Sequence, residues 1–124
     1  MVDQISTTRP RATEEEPLVL IQDDGKVRTL TLNRPGKFNA FSNVLVAEFK
    51  CALNSAAKDD KIRVIIIGAS GTAYSTGHDL NDVVRASKTD NTDQCETVFK
   101  DTADLMTTIN RQPQPVIARI QGVA

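Results

Sequence analysis

The sequence has no tryptophan, one tyrosine and four phenylalanines, so aromatic residues make up only 4% of it. Single-stranded nucleic acids are held by aromatic rings stacked along a basic groove. Here 15 Lys and Arg face 16 Asp and Glu, for a net charge of −1 and no basic block. The phosphate-neutralising surface that nucleic-acid binding needs is absent as well, so no nucleic-acid partner is expected. The two cysteines, Cys51 and Cys95, are isolated in helix-like segments. They form neither a disulfide framework nor a metal-ligand spacing, and read as small core residues. His78 is the single histidine and has no metal partner near it, so no metal site is expected. No apolar run approaches the roughly 20 residues of a membrane span.

With 40% hydrophobic and 25% charged residues, the 124-residue chain has the composition of one ordinary globular domain. Residues 1–17 stand apart. Ser6, Thr7, Thr8, Arg9 and Arg11 suggest an organelle transit peptide, whereas Asp3 and Glu14-Glu15-Glu16 oppose it. This segment is read as a flexible leader and possible transit remnant, with the folded part over residues 18–124.

Leu18–Gln22 and Val27–Leu32 predict two strands joined by the Asp-Gly turn at Asp24-Gly25, a strong hairpin signal. A loop, Asn33–Phe41, precedes a helix capped by Ser42 and running to about Asp59. Its apolar stripe is Leu45, Phe49, Ala52, Leu53 and Ala56. Val64–Ile67 is an unalternating apolar run, as expected of a strand covered on both faces. A short helix over Leu80–Ala86, a polar loop over Ser87–Asn91 and a long helix over Thr92–Arg111 follow. The long helix carries the stripe Cys95, Val98, Phe99, Thr102, Met106 and Ile109, and Pro113 and Pro115 end it. Val116–Ile120 is the next strand, expected parallel to Val64–Ile67 in one sheet. The order describes an α/β unit. Because no helix follows the last strand to cover the sheet, the sequence reads as truncated.

Chemistry concentrates in Tyr74-Ser75-Thr76-Gly77-His78-Asp79-Leu80, between a strand and a helix start. Backbone N–H groups at such a turn lack intrahelical partners and can receive a developing negative oxygen. Gly77 lets the main chain approach a ligand, and a β-branched residue there would obstruct the turn or misshape it. The His78 imidazole has no nucleophile to activate, so its backbone N–H is the functional candidate. Asp79 reads as an N-cap that also holds the turn. No carboxylate pair has the spacing of an acid–base couple. Gly68, Gly71 and Gly77 after a strand keep a nucleotide-binding loop open, although they match neither G-x-G-x-x-G nor a P-loop.

Three segments resemble the enoyl-CoA hydratase/isomerase (crotonase) superfamily. Asn33-Arg34-Pro35-Gly36-Lys37-Phe38-Asn39-Ala40-Phe41-Ser42 is similar to its N-R-P-x-x-x-N-A-L-[ST] segment. Tyr74–Leu80 resembles F-[SCA]-[SA]-G-x-D-[LI], and Pro115–Gly122 resembles the strand K-P-[VT]-I-A-x-[VI]-x-G. The Gly-His-Asp-Leu variant is most like the mitochondrial members of the superfamily. The resemblance implies a crotonase-like ββα spiral of which this chain is the N-terminal part, and an acyl-CoA thioester as substrate with no separate cofactor. It implies that the His78 N–H is one of two donors to an enolate-like oxyanion, the second lying beyond Ala124 with the family's catalytic glutamates. It also implies that Thr76, Gly77, Asp79 and Leu80 line the thioester and pantetheine path, with Lys37, Phe38 and Ala40 beside CoA. A mitochondrial, otherwise cytoplasmic, protein that assembles as a trimer or hexamer when complete is expected. The expected activity is that of a hydratase or isomerase of fatty-acid metabolism. The alternative is a non-catalytic acyl-CoA-binding or regulatory member.

Overall fold

A computed structural model of the chain describes residues 16–88, 92–122 and 124. The leader expected over residues 1–17 lies outside the described residues except for Glu16 and Pro17. Strands β1 (Val19–Asp24) and β2 (Val27–Leu32) form an antiparallel hairpin, with Asp24 opposite Val27. Gly25 supplies the φ of +62° that closes its turn. Helix α1 (Asn43–Ala57) starts where the Ser42 hydroxyl oxygen accepts the Leu45 N–H at 3.1 Å, as the cap reading requires. Strand β3 (Val64–Ala69) runs parallel to β2. Helices α2 (Leu80–Lys88) and α3 (Thr92–Asn110) then lead to β4 (Val116–Ala118), parallel to β3. The sheet order is β1-β2-β3-β4, so the expected single sheet and its parallel pair are both observed. The last strand is shorter than Val116–Ile120, although the Arg119 N–H still donates to the Ile67 carbonyl at 2.9 Å. The polar loop starts later than Ser87, since α2 continues to Lys88, and residues 89–91 lie outside the described residues.

Leu30, Leu32, Ile65 and Ile67 on one sheet face pack against Leu45, Phe49 and Leu53 of α1, with Leu105 of α3 completing the core. Alternation along β3 sends Ile65 and Ile67 into that core, while Val64 and Ile66 stay half-buried on the other face. The expectation of a strand covered on both faces therefore holds for one face. In α3 the buried residue is Leu105, and Phe99 and Met106 of the predicted stripe are exposed. Each helical residue turns the side chain by roughly 100°. Val98, Thr102, Leu105 and Ile109 share the inward face, and Phe99 and Met106 fall off it. Cys51 is likewise exposed rather than buried, because it lies outside the buried stripe of α1. The side chain of Cys95 lies outside what is described.

Polar side chains close the ends of α1. At its C-terminal end, Gln112 Nε2 donates to the Leu53 carbonyl at 2.8 Å and Gln114 Nε2 to that of Ala56 at 2.7 Å, the latter carbonyl also accepting the Asp59 N–H at 3.1 Å. Glu48 accepts the N–H groups of Leu18 and Val19 at 2.8 and 3.3 Å, tying α1 to the start of β1. Among the described residues no helix is long and apolar enough to cross a membrane. Adjacent residues of α3 test the corrected face: Leu105→Ala is expected to cost about 2–5 kcal/mol and Met106→Ala less than about 1 kcal/mol, read from urea unfolding midpoints.

Candidate functional site

The loop after β2 is built around a strained pair. Pro35 opens a single 3-10 turn, Pro35–Lys37, after which Phe38 and Asn39 take φ of 54° and 55°. Left-handed backbone costs a non-glycine residue roughly 1–2 kcal/mol, and asparagine tolerates it better than most. Asn39 offsets that cost with its side chain, which is fully buried. Its Oδ1 accepts the Arg34 N–H at 2.7 Å, and its Nδ2 donates to the carbonyls of Ser70 and Ala73 at 2.8 and 2.9 Å. The loop after β2 is thereby fastened to the loop after β3.

The second loop is fastened in return. Ser75 Oγ donates to the Asn39 carbonyl at 2.9 Å and accepts the Gly77 N–H at 3.1 Å. Gly77 has φ +92°, and a Cβ placed on it would meet nothing within 4 Å. The need for glycine is therefore conformational, not steric: the turn has room for a side chain but a backbone that L-residues avoid. The Phe41 N–H donates to the Gly77 carbonyl at 2.6 Å and the Asp79 N–H to the Phe41 carbonyl at 2.9 Å. These two bonds make an isolated parallel bridge between Phe41 and His78. In that geometry Phe41 bonds the residues on either side of His78, so the N–H of His78 points away from it. Among the described residues the His78 N–H has no acceptor. Its imidazole instead lies against the Phe99 ring, with centroids 5.2 Å apart.

Asp79 is buried, and each of its carboxylate oxygens is engaged. Oδ1 accepts the Asn81 N–H at 2.8 Å in the first turn of α2, which is the N-cap geometry expected of it. Oδ2 takes Arg34 Nη1 at 2.8 Å, and the same nitrogen donates to the Ala40 carbonyl at 3.0 Å. Burial alone pushes the Asp79 carboxyl up, but Arg34 and the N–H groups of Asn81 and Asp82 outweigh it and hold it below the ordinary aspartate value.

A groove of about 530 Å³ opens beside these loops. Lys37, Phe38, Ala40, Thr76, His78, Asp79 and Leu80 all line it, so the structure brings together every predicted site residue except Gly77, which sits behind His78. Phe38 and Leu80 leave apolar side chains exposed at its walls, at 55% and 73%. The Ala40 N–H is used by the Lys37 carbonyl, so its own carbonyl is the backbone group it turns to neighbours. Gly68 belongs to β3, where the Arg119 guanidinium lies against it, so Gly68, Gly71 and Gly77 do not form one phosphate-cradling loop. Among the described residues no cluster of His, Cys, Asp and Glu is placed to hold a metal. Sequence reasoning missed Asn39, Ser75 and Arg34 as the residues that set this geometry. A polar residue between apolar neighbours that tolerates left-handed backbone was the available signal for Asn39.

Comparison with known proteins adds a family. The family described as Enoyl-CoA hydratase/isomerase matches residues 27–124. Enoyl-CoA hydratase domain-containing protein 3, mitochondrial, from Danio rerio is 34% identical over 111 residues, 90% of this chain and 37% of that protein. An enoyl-CoA hydratase structure from Mycobacterium smegmatis is 40% identical with a TM-score of 0.79, over 85% of this chain and 40% of that one. The structure of human enoyl-CoA hydratase domain-containing protein 3 is 27% identical with a TM-score of 0.78, over 86% of this chain and 41% of that one. The chain thus has the crotonase fold, and spans well under half the length of these relatives.

The lowered carboxyl of Asp79 has a signed consequence. The folded state binds its proton less readily than the unfolded chain, whose aspartates titrate near pH 3.9. The stability Asp79 contributes is therefore complete above that value and lost as pH falls through the folded value. Asp79→Asn is expected to flatten the acid limb of a stability–pH curve below about pH 4, measured by urea unfolding at stepped pH.

Proposed function

Since the chain belongs to the enoyl-CoA hydratase/isomerase family, we propose that its groove binds an acyl-CoA thioester and that the His78 N–H donates to the thioester oxygen. The observation that carries this reading is a backbone donor without an acceptor among the described residues, held by the Phe41 bridge at a groove wall. A thioester oxygen gains negative charge when the adjacent carbon loses a proton or accepts a nucleophile. A donor fixed in advance stabilises that oxyanion without reorganising. In the same reading Thr76, Asp79 and Leu80 border the thioester and pantetheine, with Gly77 shaping the turn behind them. Lys37, Phe38 and the Ala40 backbone border the CoA moiety, Lys37 meeting its phosphates as a cation.

The complete protein is proposed to be a hydratase or isomerase of fatty-acid metabolism, mitochondrial like the D. rerio relative and assembled as a trimer or hexamer. A second reading, a non-catalytic acyl-CoA-binding protein, has its own observation. Among the described residues the only carboxylate lining the groove is that of Asp79, and both its oxygens are already engaged. Proton transfer needs a group free to exchange a proton. The 124-residue chain is therefore expected to bind crotonyl-CoA while hydrating it at least 10²-fold below roughly 10 s⁻¹, an ordinary enzyme rate. Turnover near that rate, abolished by a groove mutation, would rule out the non-catalytic reading. Competition by ATP or NAD as effective as that by CoA would overturn the acyl-CoA reading.

Backbone donation also predicts an unusual mutational pattern. His78→Ala keeps the N–H, and its affinity for crotonyl-CoA is expected to stay within about fivefold of the parent, under 1 kcal/mol. Gly77→Val forces a β-branched residue to φ +92° and misaims that N–H, so its loss is expected to be larger, on the order of 10²-fold. Isothermal titration of both variants with crotonyl-CoA checks the order. A folded His78→Ala that has lost all binding would move the function to the imidazole.

A further inference from the structure

We infer that Arg34 is a positioning residue that aims the His78 N–H into the groove, acting through Asp79 without touching a ligand. Arg34 is not among the residues that line the groove. Its Nη1 lies 2.8 Å from Asp79 Oδ2 and 3.0 Å from the Ala40 carbonyl oxygen. One guanidinium nitrogen thus joins the residue that precedes Phe41 to the residue that follows His78. Those are the two chains whose bridge orients His78, through the Phe41 N–H to Gly77 and the Asp79 N–H to Phe41. Arg34 spans the bridge from behind.

The base of this brace is itself held. The Arg34 N–H donates to Asn39 Oδ1 at 2.7 Å, and the Arg34 carbonyl accepts the N–H groups of Lys37 and Asn39 at 3.1 and 2.9 Å. An anchored main chain leaves only the side chain to order, which suits a guanidinium to a fixed reach. Its removal has a directional effect. Asp79 is 7% exposed, and a buried carboxylate stripped of its cation is strongly unfavourable. The relief open to Asp79 is to turn toward water, and its own N–H, which holds one side of the bridge, turns with it. The aim of the His78 N–H is lost while the core strands, to which none of Arg34's hydrogen bonds runs, keep their pairing.

Amide hydrogen exchange followed by NMR tests this without any ligand. In Arg34→Gln the Phe41 and Asp79 amides are expected to exchange at least about tenfold faster, with those of Leu30 and Ile67 unchanged. Arg34→Lys, which keeps the cation, should restore part of the protection. Equal acceleration at all four amides, or none at Phe41 and Asp79, would overturn the positioning role. If Arg34→Gln fails to fold, Asp79→Asn is read in the same way, since it loses the ion pair and retains an oxygen for the Asn81 N–H. A second arm rests on the acyl-CoA reading and measures the affinity ratio of crotonyl-CoA over free CoA. That ratio should fall toward one in Arg34→Gln with free CoA affinity unchanged. A parent chain already without thioester preference would sink the acyl-CoA reading alone, and the exchange rates would still decide the role of Arg34.

Discussion

The site depends on one buried amide. Asn39 stands in left-handed backbone with no solvent access, and its side chain reaches three main-chain groups on two different loops. An amide offers two donor hydrogens and a carbonyl oxygen, and here all are used. Removing it would leave the carbonyls of Ser70 and Ala73 short of a donor and the Arg34 N–H without its acceptor, each a costly state for a buried group. The unfavourable φ of Phe38 and Asn39 persists because these bonds, with Ser75 on the Asn39 carbonyl, over-determine it.

From that anchor the geometry propagates by short bonds. Asn39 holds the first loop against the second, so Phe41 arrives beside His78 and the parallel bridge closes. The bridge decides which way each main-chain group of the turn faces. A rigid sheet behind it matters as much, since both loops leave the carboxyl ends of adjacent parallel strands, β2 and β3. Loops that leave neighbouring strands at the same edge start only a strand spacing, about 5 Å, apart. Short side chains such as Asn39 and Ser75 can then cross between them.

The ionic part of the site is structural in character. Arg34, outside the groove lining, neutralises Asp79 at its wall, which leaves Lys37 as the cation among the described lining residues. The remaining wall groups are backbone and apolar side chains. The described lining of the groove thus holds one exposed ammonium and no buried counter-charge free of a partner. The pair of Arg28 with Asp23 and Asp59 does comparable work at the other end of the sheet, linking the hairpin to the end of α1.

Much of this was legible in the sequence, because the signals concerned are local. Asp24-Gly25 specified its hairpin, Ser42 its helix start, and the stripe from Leu45 to Ala56 the buried face of α1. The family segments also named the groove residues, since motif spacing survives in the linear chain. Other readings failed where the outcome depends on what packs opposite. Phe99 and Met106 are as apolar as Leu105, and only the position of α1 selects the face of α3 that is buried. Val64–Ile67 looks equally apolar on both sides, yet helices cover one side of it. The sequence by itself determined where the chain turns and caps, and placed His78 in the turn after Gly77. The tertiary structure alone decided that Asn39, Ser75 and Arg34 would aim the His78 N–H. Their partners lie on a separate loop, or 45 residues away for Arg34 and Asp79, and no local propensity encodes a bond closed only when two strands pair side by side.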